Sequence, residues 1–324
     1  MKTEELKDLI KETIKANAAV YEIFNNDEIC KLFDNRTITR TPWRDRYSQR
    51  SLSIECADTK DPKDLIEIFA LNGDFNKKFN EAIKGDGQEH KRIRTLHSSA
   101  LLCLLCFYGI SKEKPLELEL DNRKVTFSNS RFEVKNEVGK DKDGKSHCSN
   151  IDVVLCGVDN SGKKVILFLE SKFSEYLKWG KYTDISDDLY GTTYKQLEST
   201  FADMRLAYNN RTLCSAKKRY TRHYAGGIKQ MISHFIGLKK EIEKGKYSDA
   251  DIYLGTILYD FEKFPTVDKH KKFEDYTELY GKLAKGLNTL TESKFKVIEN
   301  CFTYQELFKG YRHLDKNVKI FYSL

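Results

Sequence analysis

The sequence predicts an α/β protein, and three features carry that prediction. Residues 151–172, IDVVLCGVDNSGKKVILFLESK, contain two short apolar runs rich in Val, Ile and Leu, separated by turn residues. A strongly apolar stretch at about 88–108 and an amphipathic one at about 227–240 have helical length and spacing. DIYLGTILYDF at 251–261 is a further buried strand. From Gln88 the predicted order is therefore helix, strand, strand, strand, helix, strand.

Size and composition set the bounds. With 324 residues and 40% hydrophobic content the chain can bury a sizeable core. No apolar run reaches the roughly 18 residues of a membrane span, and MKTEELKDLIKETIKAN is a charged helical pattern without a signal-peptide core. A cytoplasmic protein with no membrane partner is the expectation. The eight cysteines are scattered through apolar segments and read as reduced core thiols. Cys103 and Cys106 form a C-x-x-C inside LLCLLCF, where helical burial accounts for them and no second pair at zinc spacing follows.

In chain order, residues 1–84 read as a mainly helical extension, with Leu6, Ile10 and Ile14 and then Leu65, Ile68 and Phe69 at helical spacing. Gly85-Asp86-Gly87 breaks that pattern, and a helix is expected from Gln88 to Tyr108, stopping at Gly109. Glu89 has two readings: the capping-box partner of Asp86, or the first member of the row Ile93, Leu96 and Ala100, facing the sheet. Short strand-like runs surround Val125 and Phe132, and KDKDGKSHCSN is a polar loop. After the central hairpin comes a long mixed segment. The helix at 227–240 buries Ile228, Met231, Ile232, Phe235 and Ile236, with Gln230 and His234 one turn apart at its edge. His234 reads as an ordinary helix-border histidine.

The hairpin carries the chemistry. Asn160-Ser161-Gly162 fits a three-residue loop with Gly in the left-handed place, which pairs Asp159 with Lys163. Followed down the ladder, this register sets Asp152 opposite Glu170, and strand alternation adds Lys172 to the same face. Like charges at the end of an apolar hairpin are costly unless a cation compensates them. Carboxylate oxygens suit Mg²⁺, with Mn²⁺ as a substitute, and phosphate oxygens complete such a shell. Phosphodiester hydrolysis is the chemistry this suggests. Glu-x-Lys recurs at Glu5, Glu89, Glu133 and Glu292, so only context singles out Glu170; the nearest rival set is Asp121 with Glu133 and Lys135. The bland alternative is a solvated strand end with an ion pair.

Net charge is +7 and concentrated in two stretches. Residues 36–50 hold Arg36, Arg40, Arg44, Arg46 and Arg50 against Asp45, and residues 205–224 hold Arg205, Arg211, Lys217, Lys218, Arg219 and Arg222 with no acid. Both interleave aromatics, among them Trp43 and Tyr220, a composition suited to phosphate contact and base stacking as well as to a solvated basic face. Arg40, Arg44, Arg46, Arg211, Lys217, Lys218, Arg219, Arg222 and Tyr220 are the candidate DNA contacts.

The order of elements, with Asp152 and E170-S-K172 on adjacent strands, resembles the PD-(D/E)XK nuclease superfamily, the fold of many type II restriction endonucleases. The resemblance implies a restriction endonuclease-like αβββαβ core, a central mixed sheet flanked by helices, over residues 85–262. The N-terminal part, 1–84, and a C-terminal α/β part, 263–324, would be additions to it. It also implies that Asp152, Glu170 and the Ser171 carbonyl bind Mg²⁺, that Lys172 is the catalytic lysine, that Glu89 matches the acid on the first core helix, and that Gln230 matches a glutamine on the helix after the motif. Ile151 stands where the nominal proline would be. ESKFSEYL and TYQELF are similar to a group of predicted bacterial restriction endonucleases. The resulting expectation is a metal-dependent endonuclease acting on double-stranded DNA as a homodimer. Its alternatives are a structure-selective or nonspecific nuclease of repair or phage defence, and a nucleic-acid-binding protein that does not cut.

Overall fold

Within the computed structural model, the structure describes residues 4–8, 26–34, 38–44, 50–84, 92–140, 143–175, 228–261 and 269–324, with the single positions 23, 36, 193, 196 and 197. In chain order these form α1 (Asp27–Lys31), β1 (Ile38–Arg44), β2 (Arg50–Ile54), α2 (Lys63–Phe69), α3 (Phe75–Ala82) and α4 (Ser99–Phe107). There follow β3 (Leu116–Leu120), β4 (Arg123–Lys140), β5 (Ser146–Asp159), β6 (Lys164–Lys172), α5 (Ile228–Glu243) and β7 (Ala250–Leu258). The chain ends with α6 (Lys269–Asn288), β8 (Lys296–Val297), β9 (Phe302–Thr303), α7 (Tyr304–Phe308) and α8 (Lys316–Tyr322).

A seven-stranded mixed sheet organises the protein, in the order β3-β4-β5-β6-β7-β8 with β9 also on β7. The strands from β3 to β6 pair antiparallel, through tight connections. β6 and β7 are parallel, so the chain must cross over between them, and α5 lies on that crossover. Burial follows the apolar runs: Val153, Val154, Leu155, Leu167, Phe168, Leu169 and Leu254 are fully enclosed, as are Met231 and Ile232 of α5.

The β5–β6 hairpin has the expected register. The Asp159 N–H donates to the Lys163 carbonyl at 3.0 Å, and the Gly162 N–H donates to the Asp159 carbonyl at 2.9 Å, with Gly162 at φ +81°. The Asp159 carboxylate accepts from the N–H groups of Ser161 and Lys163 and from the Ser161 hydroxyl, which fixes the turn from inside. The ladder then runs regularly to Val153 opposite Leu169.

Several elements depart from the sequence reading. The helix expected from Gln88 to Tyr108 is broken: its first residues lie outside the described ones, Arg92 is helical, 93–98 are not, and a helix runs from Ser99, whose predecessor Ser98 caps it by accepting the Leu101 N–H at 3.1 Å. Residues 94–96 are instead drawn onto β2. The Ile54 N–H donates to the Arg94 carbonyl and the Leu96 N–H to the Leu52 carbonyl, while buried Arg94 binds Asp64 and the carbonyls of Thr59 and Asp61. Ile93, Leu96 and Ala100 therefore do not form one helical row. The mainly helical N-terminal part also carries the two-stranded β1–β2 sheet. Among the described residues four strands separate α4 from α5, because β3 adds an edge to the three predicted. The C-terminal part contributes β8 and β9 to the same sheet, both parallel to β7.

β4 and β5 approach so closely at Gly157 that a Cβ there would stand 2.2 Å from the Thr126 carbonyl oxygen and 2.7 Å from the Phe127 Cα. Neither neighbour is a movable side chain. Gly157→Ala is expected to lower the free energy of unfolding by about 2–3 kcal/mol in denaturant titration; an unchanged midpoint would contradict this close approach.

Candidate active site

The last turn of the β6 ladder brings the sequence-predicted residues together. Glu170 and Lys172 alternate with Ser171, so two charged side chains leave one side of the strand and the serine leaves the other. Glu170 is 1% exposed and Lys172 4%. The Lys172 ammonium donates to one Glu170 oxygen, and it also donates to the Gln230 side-chain oxygen at 2.8 Å. The second Glu170 oxygen lies 2.7 Å from Nε2 of His234, which is itself 2% exposed. From β5, Asp152 turns its carboxylate to the Ser171 backbone and accepts that N–H at 2.7 Å.

The crossover places α5 so that Gln230 and His234, one turn apart, reach consecutive charged residues of the strand. Gln230 stands at the exposed edge of this group, while His234 is inside. Sequence reasoning missed His234 as a site residue; its i+4 spacing from Gln230 was the signal available. On the opposite side of β6 the Ser171 hydroxyl meets Tyr304, a residue from α7 that no local pattern connected to the hairpin.

Three ionisable groups divide the charge. Burial would raise the Glu170 carboxyl, but Lys172 and His234 outweigh it and hold the group down at about 2. Burial would lower the Lys172 ammonium, yet Glu170, Glu175 and Asp152 hold it above its ordinary value. Asp152 goes the other way. Burial lifts its carboxyl well above the aspartate range, and the charges of Glu170 and Glu133 lift it further, against Lys172 and the Ser171 N–H. Glu133 sits between the pairs Phe132–Val153 and Val134–Ile151, which sets it across from Asp152, and its φ is +49°.

A divalent cation suits this donor set. Asp152 is a buried carboxyl beside an anionic one, and a positive ion next to it would relieve the repulsion that raises its proton affinity. Among the described residues no three acidic, histidine or cysteine side chains form a metal cage. Mg²⁺ does not demand one, since it is commonly held by one or two carboxylates and retains several waters.

Of the rival set, Glu133 is the residue across from Asp152, while Asp121 falls elsewhere. Asp121 binds Lys296 and accepts from the Tyr253 hydroxyl at 3.1 Å, beside the Asp159 end of the hairpin and away from Asp152. Arg40 and Arg44 belong to β1. Glu89, Arg46, Arg211, Lys217, Lys218, Arg219, Tyr220 and Arg222 lie outside the described residues.

The raised Asp152 carboxyl has a measurable consequence. A group that binds its proton more tightly in the fold than in the unfolded chain subtracts stability as pH rises from its unfolded value, about 3.9, through its folded one. Asp152→Asn removes that penalty and keeps an oxygen for the Ser171 N–H. In EDTA the variant should melt a few degrees above wild type at about pH 8, with the gap closing toward about pH 4. A variant that melts below wild type across this range would contradict the charge assignment.

A family model described as restriction endonuclease associating with ARP matches residues 62–308. No curated protein and no solved structure matches the chain. The matched span includes Asp152, Glu170, Lys172, Gln230, His234 and Tyr304, and covers most of the sequence. By that match the chain belongs to this family of restriction endonucleases.

Proposed function

We propose that the protein is a Mg²⁺-dependent endonuclease that hydrolyses phosphodiester bonds of double-stranded DNA, in the manner of a type II restriction enzyme. The observation that carries this reading is the convergence of Asp152, Glu170 and Lys172 at one buried strand end, within a chain of a restriction endonuclease family. Asp152, Glu170 and the Ser171 carbonyl would hold the cation, with Glu89 as a further carboxylate. When bound, Mg²⁺ supplies positive charge that acidifies the attacking water and offsets charge on the phosphate oxygens. Lys172 orients that water and adds a second positive charge beside the scissile phosphate. Gln230 holds the Lys172 ammonium from the helix side, and His234 holds Glu170. Water attacks phosphorus, the bond to the 3′ oxygen breaks, and the products carry a 5′-phosphate and a 3′-hydroxyl.

The basic stretches 36–50 and 205–224 have a composition suited to gripping the DNA backbone. Cutting both strands at a symmetric sequence calls for two active sites, so the working form is a homodimer in the cytoplasm, where it would act in phage defence.

The test compares wild type with Lys172→Ala at equal concentration on supercoiled plasmid and genomic DNA. Discrete fragments are expected with Mg²⁺ or Mn²⁺, with no cleavage in EDTA and a loss of at least about a hundredfold in Lys172→Ala. A smear or dependence on branched DNA would favour a structure-selective or nonspecific nuclease. Metal binding without cleavage of any nucleic acid would overturn the enzymatic reading.

A further inference from the structure

Ser171 is the middle residue of E170-S-K172, and its two polar groups serve two different partners. The backbone N–H holds the Asp152 carboxylate at 2.7 Å. The side-chain hydroxyl lies 3.2 Å from the Ser99 carbonyl and 2.7 Å from the Tyr304 hydroxyl. A hydroxyl has one proton, and a carbonyl can only accept. The Ser171 proton therefore goes to Ser99, and Tyr304 must be the donor to Ser171. A directed chain results, from Tyr304 through Ser171 to the start of α4.

Every member of that chain is held from behind. Tyr304 is fully buried, with its ring stacked on Phe308 at 6.2 Å and packed against Phe107 at 6.1 Å. The preceding residue, Thr303, caps α7 by accepting the Glu306 N–H at 3.1 Å. Thr303 also closes the sheet path, since β9 pairs Phe302 and Thr303 with Ile257 and Leu258, and those residues pair with Ser171 and Lys172.

From this connectivity we infer that Tyr304 is a positioning residue of the metal site: by fixing Ser171 it fixes the backbone N–H on which Asp152 rests, and the C-terminal segment is thereby part of the active site. The inference rests on the metal-dependent reading above. Tyr304 touches neither cation nor substrate; it acts through Ser171. Partners of this kind behind metal ligands typically tune affinity about 10–100-fold.

Mn²⁺ binding to the full-length chain, followed by electron paramagnetic resonance or calorimetry, tests this with Tyr304→Phe, Ser171→Ala and the double variant, alongside melting in EDTA. Tyr304→Phe should weaken Mn²⁺ about tenfold, with kcat at saturating Mn²⁺ within about twofold of wild type. The double variant should bind no more weakly than Ser171→Ala, because both changes break one path. A purely structural tyrosine would lower the melting temperature and leave Mn²⁺ affinity untouched. Wild-type affinity in Tyr304→Phe, or losses that simply multiply in the double variant, would overturn the inference while leaving the nuclease reading in place. Should Tyr304→Phe not fold, wild-type affinity in Ser171→Ala would have the same force. Wild-type protein that binds no Mn²⁺ would overturn both.

Discussion

The interaction on which the rest depends is the enclosure of the Glu170 carboxylate. A charge that is 1% exposed is tolerable only if it is paired and hydrogen-bonded, and here each oxygen has its own partner. Lys172 comes from the same strand and costs nothing in topology. His234 comes from α5, so satisfying Glu170 requires the crossover helix to lie across the end of β6 with one particular face inward. The parallel β6–β7 pairing, which forces a crossover, and the buried carboxylate, which needs the helix on that crossover, are two aspects of one arrangement.

Asp152 shows the opposite balance. Among the described residues only the Ser171 N–H donates to it, and it sits next to an anion, so its charge is under-compensated where that of Glu170 is fully paired. Two carboxyls a strand apart thus have their proton affinities pushed in opposite directions by their surroundings, an asymmetry common at functional sites. The uneven pairing is also what recommends a cation, because the group with a deficit of positive charge is the one that nears the strand end.

How far the sequence could be read depended on the range of each interaction. The hairpin register was legible because a three-residue loop with Gly162 fixes it locally, and Asp152, Glu170 and Lys172 followed from counting along the ladder. Gln230 followed from the resemblance, and the structure places its side chain on Lys172. The helix expected from Gln88 to Tyr108 is interrupted at 93–98 because its apolar spacing is overridden there by backbone pairing with β2 and by the buried Arg94–Asp64 pair, neither of which is local. His234 looked ordinary because burial beside a carboxylate cannot be seen in a helix pattern. Tyr304 lies 133 residues from Ser171, with no periodicity linking them. The C-terminal segment was read as an addition for the same reason: β8 and β9 are two residues each, too short to declare themselves, yet both join the central sheet.

The most direct measurement of the central claim, that Asp152 and Glu170 hold a catalytic cation, is an anomalous difference map from a crystal soaked in Mn²⁺. A peak within coordination distance of Asp152, Glu170 and the Ser171 carbonyl, about 2.0–2.3 Å from each, is the predicted result. No peak there at saturating Mn²⁺, with Lys172 and His234 still closed on Glu170, would contradict it.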